Sequence, residues 1–426
     1  MPSARQGLRL DQLAAVCAQM FVPTTEDLVG LECEWPVRCS DNPLARPDLH
    51  TLQRLGDEAL PSAGMVTVEP GGQIELSSSP EHSVGDAIRA VDADATVLHE
   101  RLRRAGLEPE AAAVDAVRSP QRILDRPRYR AMEAHFDKAG AAGRWMMCNT
   151  ASVQVNISND PADPCGRWRV LNHISPVLLA MFANSGAIDA GGTTWASARQ
   201  GIWWTIDATR TRPVPMTADP AADWLRYAME AKVFFIQTQG PSSTCGVGVA
   251  EDMTFGEWFE RGHLLGWPTI DDFRYHLTTL FPPVRPRGWV ELRVLDALSP
   301  QVRAAAALVV ATACASGVRE DVLSRVPSTV DLWWVAARDG LTSSRLHAAA
   351  LTLAEIVGRN APRVADDEHV ALVRDFLEVF TARRLTPGSH YWLPLPLSLA
   401  GPSAGTMLPM ARGPVAAAED DFAWSV

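Results

Sequence analysis

Residues 30–35 read Gly30-Leu31-Glu32-Cys33-Glu34-Trp35, and their alternation decides how the chain is built. On an extended strand, side chains two apart share a face, so Glu32 and Glu34 point together while Leu31, Cys33 and Trp35 enter a core. The pattern returns twice. In Thr150-Ala151-Ser152-Val153-Gln154-Val155-Asn156-Ile157, the residues Val153, Val155 and Ile157 lie opposite Gln154 and Asn156. In Gly288-Trp289-Val290-Glu291-Leu292-Arg293-Val294-Leu295, Glu291 and Arg293 lie opposite Val290, Leu292 and Val294. Strands with one apolar and one polar face belong to antiparallel sheets covered on one side.

Helical spacing supplies the cover. After Ser83, the residues Ala87, Ile88, Val91, Ala95, Leu98 and Leu102 recur at three and four positions, and Gly106 stands where such a helix ends. Further helices are expected over 8–21, 168–182, 223–235, 300–315, 344–357 and 368–384, with a Pro-rich surface loop over 212–222. These elements do not alternate regularly with the strands, which favours an α+β fold over a doubly wound sheet. We expect a single catalytic domain over residues 1–400, followed by a Pro/Gly/Ala-rich tail over 401–426.

Among 426 residues, 50 acids stand against 39 bases, for a formal charge of −11. That excess argues against a nucleic-acid or anionic-membrane partner held by a basic surface. The run 304–317 is shorter than the roughly 20 apolar residues that span a bilayer, and no apolar leader opens the chain. A soluble cytoplasmic protein is expected, and a monomer. The seven cysteines form no CxxC pair, so reduced thiols are expected rather than disulfides or zinc. Only Lys138 and Lys232 are lysines, so arginine supplies 37 of the 39 cationic side chains and must do most of the gripping of any anion.

A third acidic segment, Glu69-Pro70-Gly71-Gly72-Gln73-Ile74-Glu75, sets glutamates on both sides of a sharp Pro-Gly-Gly turn. Each segment alone reads as a solvated strand face or hairpin. Brought together, they would form an oxygen-rich cage of the kind hard cations such as Mg²⁺ choose, with Arg293 placed to meet phosphate oxygens. No GxxxxGK[ST] loop, HExxH, GxSxG or kinase-like set is present.

In this arrangement the segments at 30–34, 69–77, 150–156 and 290–293 resemble the plant and actinobacterial glutamate–cysteine ligases. Ala183-Asn184-Ser185, Ser197-Ala198-Arg199, Ile202-Trp203, Asp207, Arg210 and 276–282 (His-Leu-Thr-Thr-Leu-Phe-Pro) follow in the same order. The similarity covers residues 25 to 300, and the length is most similar to the actinobacterial branch that serves ergothioneine synthesis. It implies a glutamine-synthetase-like architecture, a curved and largely antiparallel sheet with helices on its outer face. It also implies ligation of L-glutamate to L-cysteine with ATP and Mg²⁺. Carried over, the resemblance makes Glu32, Glu34, Glu69, Glu75 and Glu291 metal ligands, with Gln154 at or near the metal wall, and it sets Gln154 and Asn156 among the substrate- or nucleotide-binding residues. Arg293 with Glu291 would serve the transferred phosphate, and Arg199 and Arg210 would bind substrate carboxylate or nucleotide phosphate. Cys33 stands where plant relatives carry His, on the face turned from the metals. Trp203, Trp204 and Tyr227 are possible walls of a cysteine pocket, though core packing is their commoner use; His173, His263 and His276 and the thiols of Cys148 and Cys245 carry no assigned role. The readings that compete are a same-fold ligase for another amine and a non-catalytic metal- or nucleotide-binding regulator.

Overall fold

Six strands form one open sheet in a computed structural model that describes residues 7–238, 245–389, 393–397 and 399. They are β1 (Val29–Trp35), β2 (Met65–Val68), β3 (Ile74–Ser77), β4 (Ser152–Ser158), β5 (Val284–Pro286) and β6 (Trp289–Asp296). Their order is β5-β6-β4-β1-β3-β2, and every neighbouring pair is antiparallel. The register lines up the polar faces: Glu32 pairs with Gln154, Glu34 with Glu75, and Asn156 with both Gly30 and Glu291. Between β4 and β6 the register shifts after Leu292, an irregularity of the kind that bends a strand and raises its twist.

Five helices position the site: α1 (Val84–Arg104), α2 (Ala142–Asn149), α3 (Gly166–Met181), α4 (Ala198–Thr205) and α5 (Pro300–Cys314). The apolar strand faces lie against α1, α3 and α5. Leu31 and Cys33 are 1% exposed and Trp35 3%, as their alternation requires. Helix α1 begins where the Ser83 hydroxyl accepts from the Asp86 amide at 3.0 Å and ends before Gly106, whose φ of +75° few other residues adopt. On this side Arg303 of α5 pairs with Asp92 of α1 and lies over the Trp35 ring. The run at 304–317 falls mostly in α5, a core helix. Among the described residues no single helix is long and apolar enough to cross a membrane, and the pair Pro300–Cys314 and Arg319–Arg325 passes such a test only jointly, with a 92° bend.

Two helix boundaries differ from expectation. The helix expected over 223–235 runs Pro220–Glu230, because the Asp219 side chain caps the Ala222 amide and Pro220 takes the first turn. Its predicted end lies outside the helix, in a connection that leads into the strand Phe235–Gln237. The helix expected over 368–384 is regular over Asp367–Phe376 and then widens into a π turn over Leu377–Thr381. The tail at 401–426 lies outside the described residues.

Candidate active site

The polar face of the sheet opens into a cavity of about 290 Å³. Glu32, Glu34, Glu69 and Glu75 line its sheet side. Three of these carboxylates are aimed by a neighbour. Asn156 Nδ2 donates to Glu32 at 3.0 Å, the Ser152 amide and Gln154 Nε2 donate to Glu34 at 2.9 and 3.3 Å, and Thr67 Oγ1 donates to Glu75 at 2.7 Å. None of the four forms an ion pair among the described residues. Burial, followed by repulsion from Glu291 and Glu75, pushes the Glu32 carboxyl up to about 7. Burial and neighbouring carboxylates likewise raise Glu34, Glu69 and Glu75, with Glu69 well above the usual range.

Glu69 comes from the turn rather than from a strand. Its amide donates to the Gln73 carbonyl at 2.8 Å, and the Gly72 amide donates back to its carbonyl at 2.9 Å. A Cβ on Gly71 would lie 2.2 Å from the Cys148 carbonyl oxygen, and Gly72 has a φ of +88°. Both glycines are therefore required, one by close approach to the end of α2 and one by backbone conformation.

Glu291 is set apart. It is fully buried, and Arg285, directly opposite on β5, clasps both its oxygens, with Nη2 at 2.9 Å. Arg293 and Arg287 approach at 3.4 and 3.6 Å. Burial works against ionisation here, but the charges of Arg285 and Arg293 outweigh it and hold the carboxyl down to about 2. A cation at Glu291 would have to share its oxygens with Arg285, so this carboxylate stands apart from the four unpaired ones. Gln154 and Asn156 are likewise engaged by neighbours. Gln154 Oε1 accepts from Arg293 Nη1 at 2.7 Å, and Asn156 Oδ1 accepts from Trp289 Nε1 at 2.9 Å. Each amide thus links a glutamate to a second side chain.

The rest of the lining is cationic and apolar. Arg128, Arg285, Arg287 and Arg293 meet the cavity, flanked by Tyr129, Met132, Met146 and Met147. Pairing of Arg285 with Glu291 across a hairpin turning at Gly288, whose φ is +85°, was the available sequence signal for Arg285 and Arg287. Next to the cavity, and sharing Trp203, Phe281 and Arg293 with it, is a water-sized alcove of about 20 Å³. Arg199 of α4 lines it. Arg199 is 2% exposed, lies 3.8 Å from Asp296, and leaves Nε and Nη1 without a hydrogen-bond partner.

Other expected residues fall elsewhere. Arg210 is fully buried, bonds Asp207, Thr279 and the Lys232 carbonyl, and lines neither the cavity nor the alcove. Tyr227 stacks on Trp224 and donates to the Arg212 carbonyl, away from both cavities, while Trp203 and Trp204 line the alcove. His173 and His276 bond backbone carbonyls, and His263 lies 3.8 Å from Glu251. Cys148 is buried, its thiol pushed up to about 12 by burial, whereas Cys245 is exposed rather than buried.

The donor set suits a hard divalent cation chemically: four carboxylates without cationic partners face one cavity and offer only oxygen. It is an open arrangement. The four line the cavity without converging: among the described residues no group of three His, Cys, Asp or Glu is close enough together to hold a metal ion.

Comparison with known proteins adds the following. The family described as glutamate-cysteine ligase family 2 matches residues 28–388. Glutamate–cysteine ligase EgtA of Mycolicibacterium smegmatis is 37% identical over 358 residues, which is 81% of this chain and 83% of that protein. EgtA of Mycobacterium tuberculosis strain H37Rv is 35% identical over 346 residues, 78% and 79% of the two chains. The chloroplastic glutamate–cysteine ligase of Nicotiana tabacum is 28% identical over 246 residues, 54% of this chain and 45% of that protein. Among solved structures, glutamate–cysteine ligase of Francisella tularensis in complex with AMP aligns with a TM-score of 0.55 at 13% identity, covering 87% of this chain and 84% of that one, a likeness of fold.

Proposed function

The chain belongs to glutamate-cysteine ligase family 2, and we propose from that premise that it makes γ-glutamylcysteine from L-glutamate, L-cysteine and ATP. The reaction passes through γ-glutamyl phosphate and yields ADP and phosphate, and its product serves synthesis of ergothioneine or another small thiol. Reducing conditions that keep cysteine as a thiol place it in the cytoplasm. The observation that carries the reading is the meeting, around one cavity over the sheet, of four carboxylates without ion-pair partners and the arginine group around Arg293.

A carboxylate carbon is a poor electrophile, so the γ-carboxylate must first be phosphorylated. Two anions have to meet for that step, which demands positive charge between them. Glu32, Glu34, Glu69 and Glu75 would hold Mg²⁺, which supplies charge neutralisation on the phosphate oxygens when bound. Arg293 stays charged in this setting: burial opposes its ionisation, but Glu291, Glu32, Glu34 and Glu75 together outweigh it. Its link to Gln154 and its nearness to Glu291 aim the guanidinium at the cavity, where it meets the transferred phosphoryl group and afterwards the oxyanion formed as the cysteine amine attacks. Arg285 supports it by keeping Glu291 ionised. Arg199, beside the alcove and 3.8 Å from Asp296, would take a substrate carboxylate with Nε and Nη1, which make no hydrogen bond, once the water-sized alcove widens to admit it.

The test is nucleotide turnover. ADP is expected only when glutamate, cysteine and Mg²⁺ are all present, and equal ADP release without cysteine would refute the ligase reading.

A further inference from the structure

Glu69 differs from the other three unpaired glutamates. Asn156, the Ser152 amide with Gln154, and Thr67 each aim one of them, whereas Glu69 has no side-chain hydrogen bond among the described residues. Its direction is set by the turn beneath it, and a residue outside the cavity holds that turn. Arg46 Nη1 donates to the carbonyls of Gly71 and Cys148, both at 3.1 Å; its Nη2 donates to the Ser119 carbonyl at 2.8 Å and to Asn149 Oδ1 at 2.7 Å.

Cys148 and Asn149 close α2, and the last carbonyls of a helix lack partners within it. A cation at that end also meets the negative pole of the helix. One planar guanidinium, bonding in several directions at once, therefore ties the Glu69 turn to the end of a helix, a task lysine's single ammonium does not reproduce. Gln73 completes the tie from the cavity side. Its Oε1 accepts from the Gly71 amide at 3.1 Å and its Nε2 donates to the Thr150 carbonyl at 2.8 Å. The anchor is itself fixed, since Asn149 Nδ2 donates to the carbonyls of Asp115 and Arg118 at 2.7 and 2.6 Å.

We propose that Arg46 is a positioning residue for Glu69: by pinning Gly71 to Cys148 it fixes the Glu69 carboxylate toward Glu34 and Glu75, and so sets the protein's affinity for a divalent cation. The inference rests on the metal role given to those glutamates above. Groups that orient a metal ligand from behind are worth about 10–100-fold in metal affinity, so the effect is measurable without turnover.

The experiment titrates Mn²⁺ against the full chain, with no nucleotide or amino acid, and reads free Mn²⁺ by electron paramagnetic resonance. It is run on wild type, Arg46→Met, Arg46→Lys and Arg319→Met. The last breaks the buried Arg319–Asp160 pair, which makes no hydrogen bond to the turn or to its anchor. The Mn²⁺ dissociation constant is expected to rise about 10–100-fold in Arg46→Met and less in Arg46→Lys, and to stay put in Arg319→Met. Half-saturating Mg²⁺ in the ligase assay should rise in parallel, with kcat at saturating Mg²⁺ largely retained. An unchanged Mn²⁺ constant in either Arg46 variant overturns the proposal, and Arg46→Lys decides if Arg46→Met does not fold. Equal weakening in Arg319→Met also overturns it, because the effect would then be general loosening. A wild type that binds no Mn²⁺ overturns the metal reading itself, and the role of Arg46 with it.

Discussion

Arg293 is the residue on which the charge argument turns. It touches Gln154 and Glu291 and faces the carboxylate wall, so Arg293→Ala removes the side-chain cation best placed at the reacting phosphate. By analogy with removal of one transition-state hydrogen-bond donor, kcat should fall about 10²–10³-fold. The circular-dichroism spectrum should stay that of the wild type; near-normal turnover in a folded variant would remove Arg293 from the mechanism. Glu32 carries a pH signature. The unfolded chain loses this proton near 4.5 and the folded, metal-free protein near 7, so the folded state binds the extra proton between those values. The contribution is present in full below 4.5 and is lost as pH rises to about 7. Glu291 has the opposite sign: its folded value of about 2 makes its contribution present above 4.5 and lost in acid. Thermal midpoints of the metal-free protein should therefore fall between pH 5 and pH 7 by more than in Glu32→Gln, and equal slopes would contradict the assignment. Of the residues read from the sequence, Glu32 and Glu34 were legible as a pair because period two places them on one face; Glu69, Glu75 and Glu291 joined them as ligands only through the family resemblance. The pairing of Glu291 with Arg285 was not legible, since it depends on which strand lies alongside. Motif order likewise did not show that Arg210 is buried away from the cavity.

The Pro70-Gly71-Gly72 turn is the element whose geometry matters most. Sequence showed that the backbone had to bend or approach something closely; only the fold shows that the partner is the end of α2. Gly71→Ala would drive a methyl group against the Cys148 carbonyl, at 2.2 Å before any relaxation. Overpacking of this kind costs about 1–3 kcal/mol, to be read as a lower urea midpoint, and Mg²⁺ affinity should fall with it because Glu69 rides on the turn. Unchanged midpoint and affinity would mean that the turn does not need its close approach. The strands β1, β4 and β6 were legible for the same period-two reason, and α1 for its apolar spacing and caps. The first turn of the helix beginning at Pro220 was read as loop because proline marks both loops and first helical turns, and the Asp219 cap that distinguishes them was passed over.

At the scale of the whole molecule, the excess of acid has a local meaning. A chain of charge −11 gathers four carboxylates without ion-pair partners and four arginines around one cavity. The α+β class and the antiparallel sheet backed by helices followed from one-faced strands and unevenly interleaved helices; the glutamine-synthetase-like architecture, implied only by the family resemblance, agrees with the fold shared with the Francisella tularensis ligase. The central claim is that this sheet joins glutamate to cysteine. It is tested most directly by incubating the protein with glutamate, cysteine, ATP and Mg²⁺, together with a panel of other amines, and identifying products by mass spectrometry. The account predicts γ-glutamylcysteine in amounts equal to the ADP formed, with cysteine the preferred amine. ADP without γ-glutamylcysteine, or faster ligation of another amine, would contradict it.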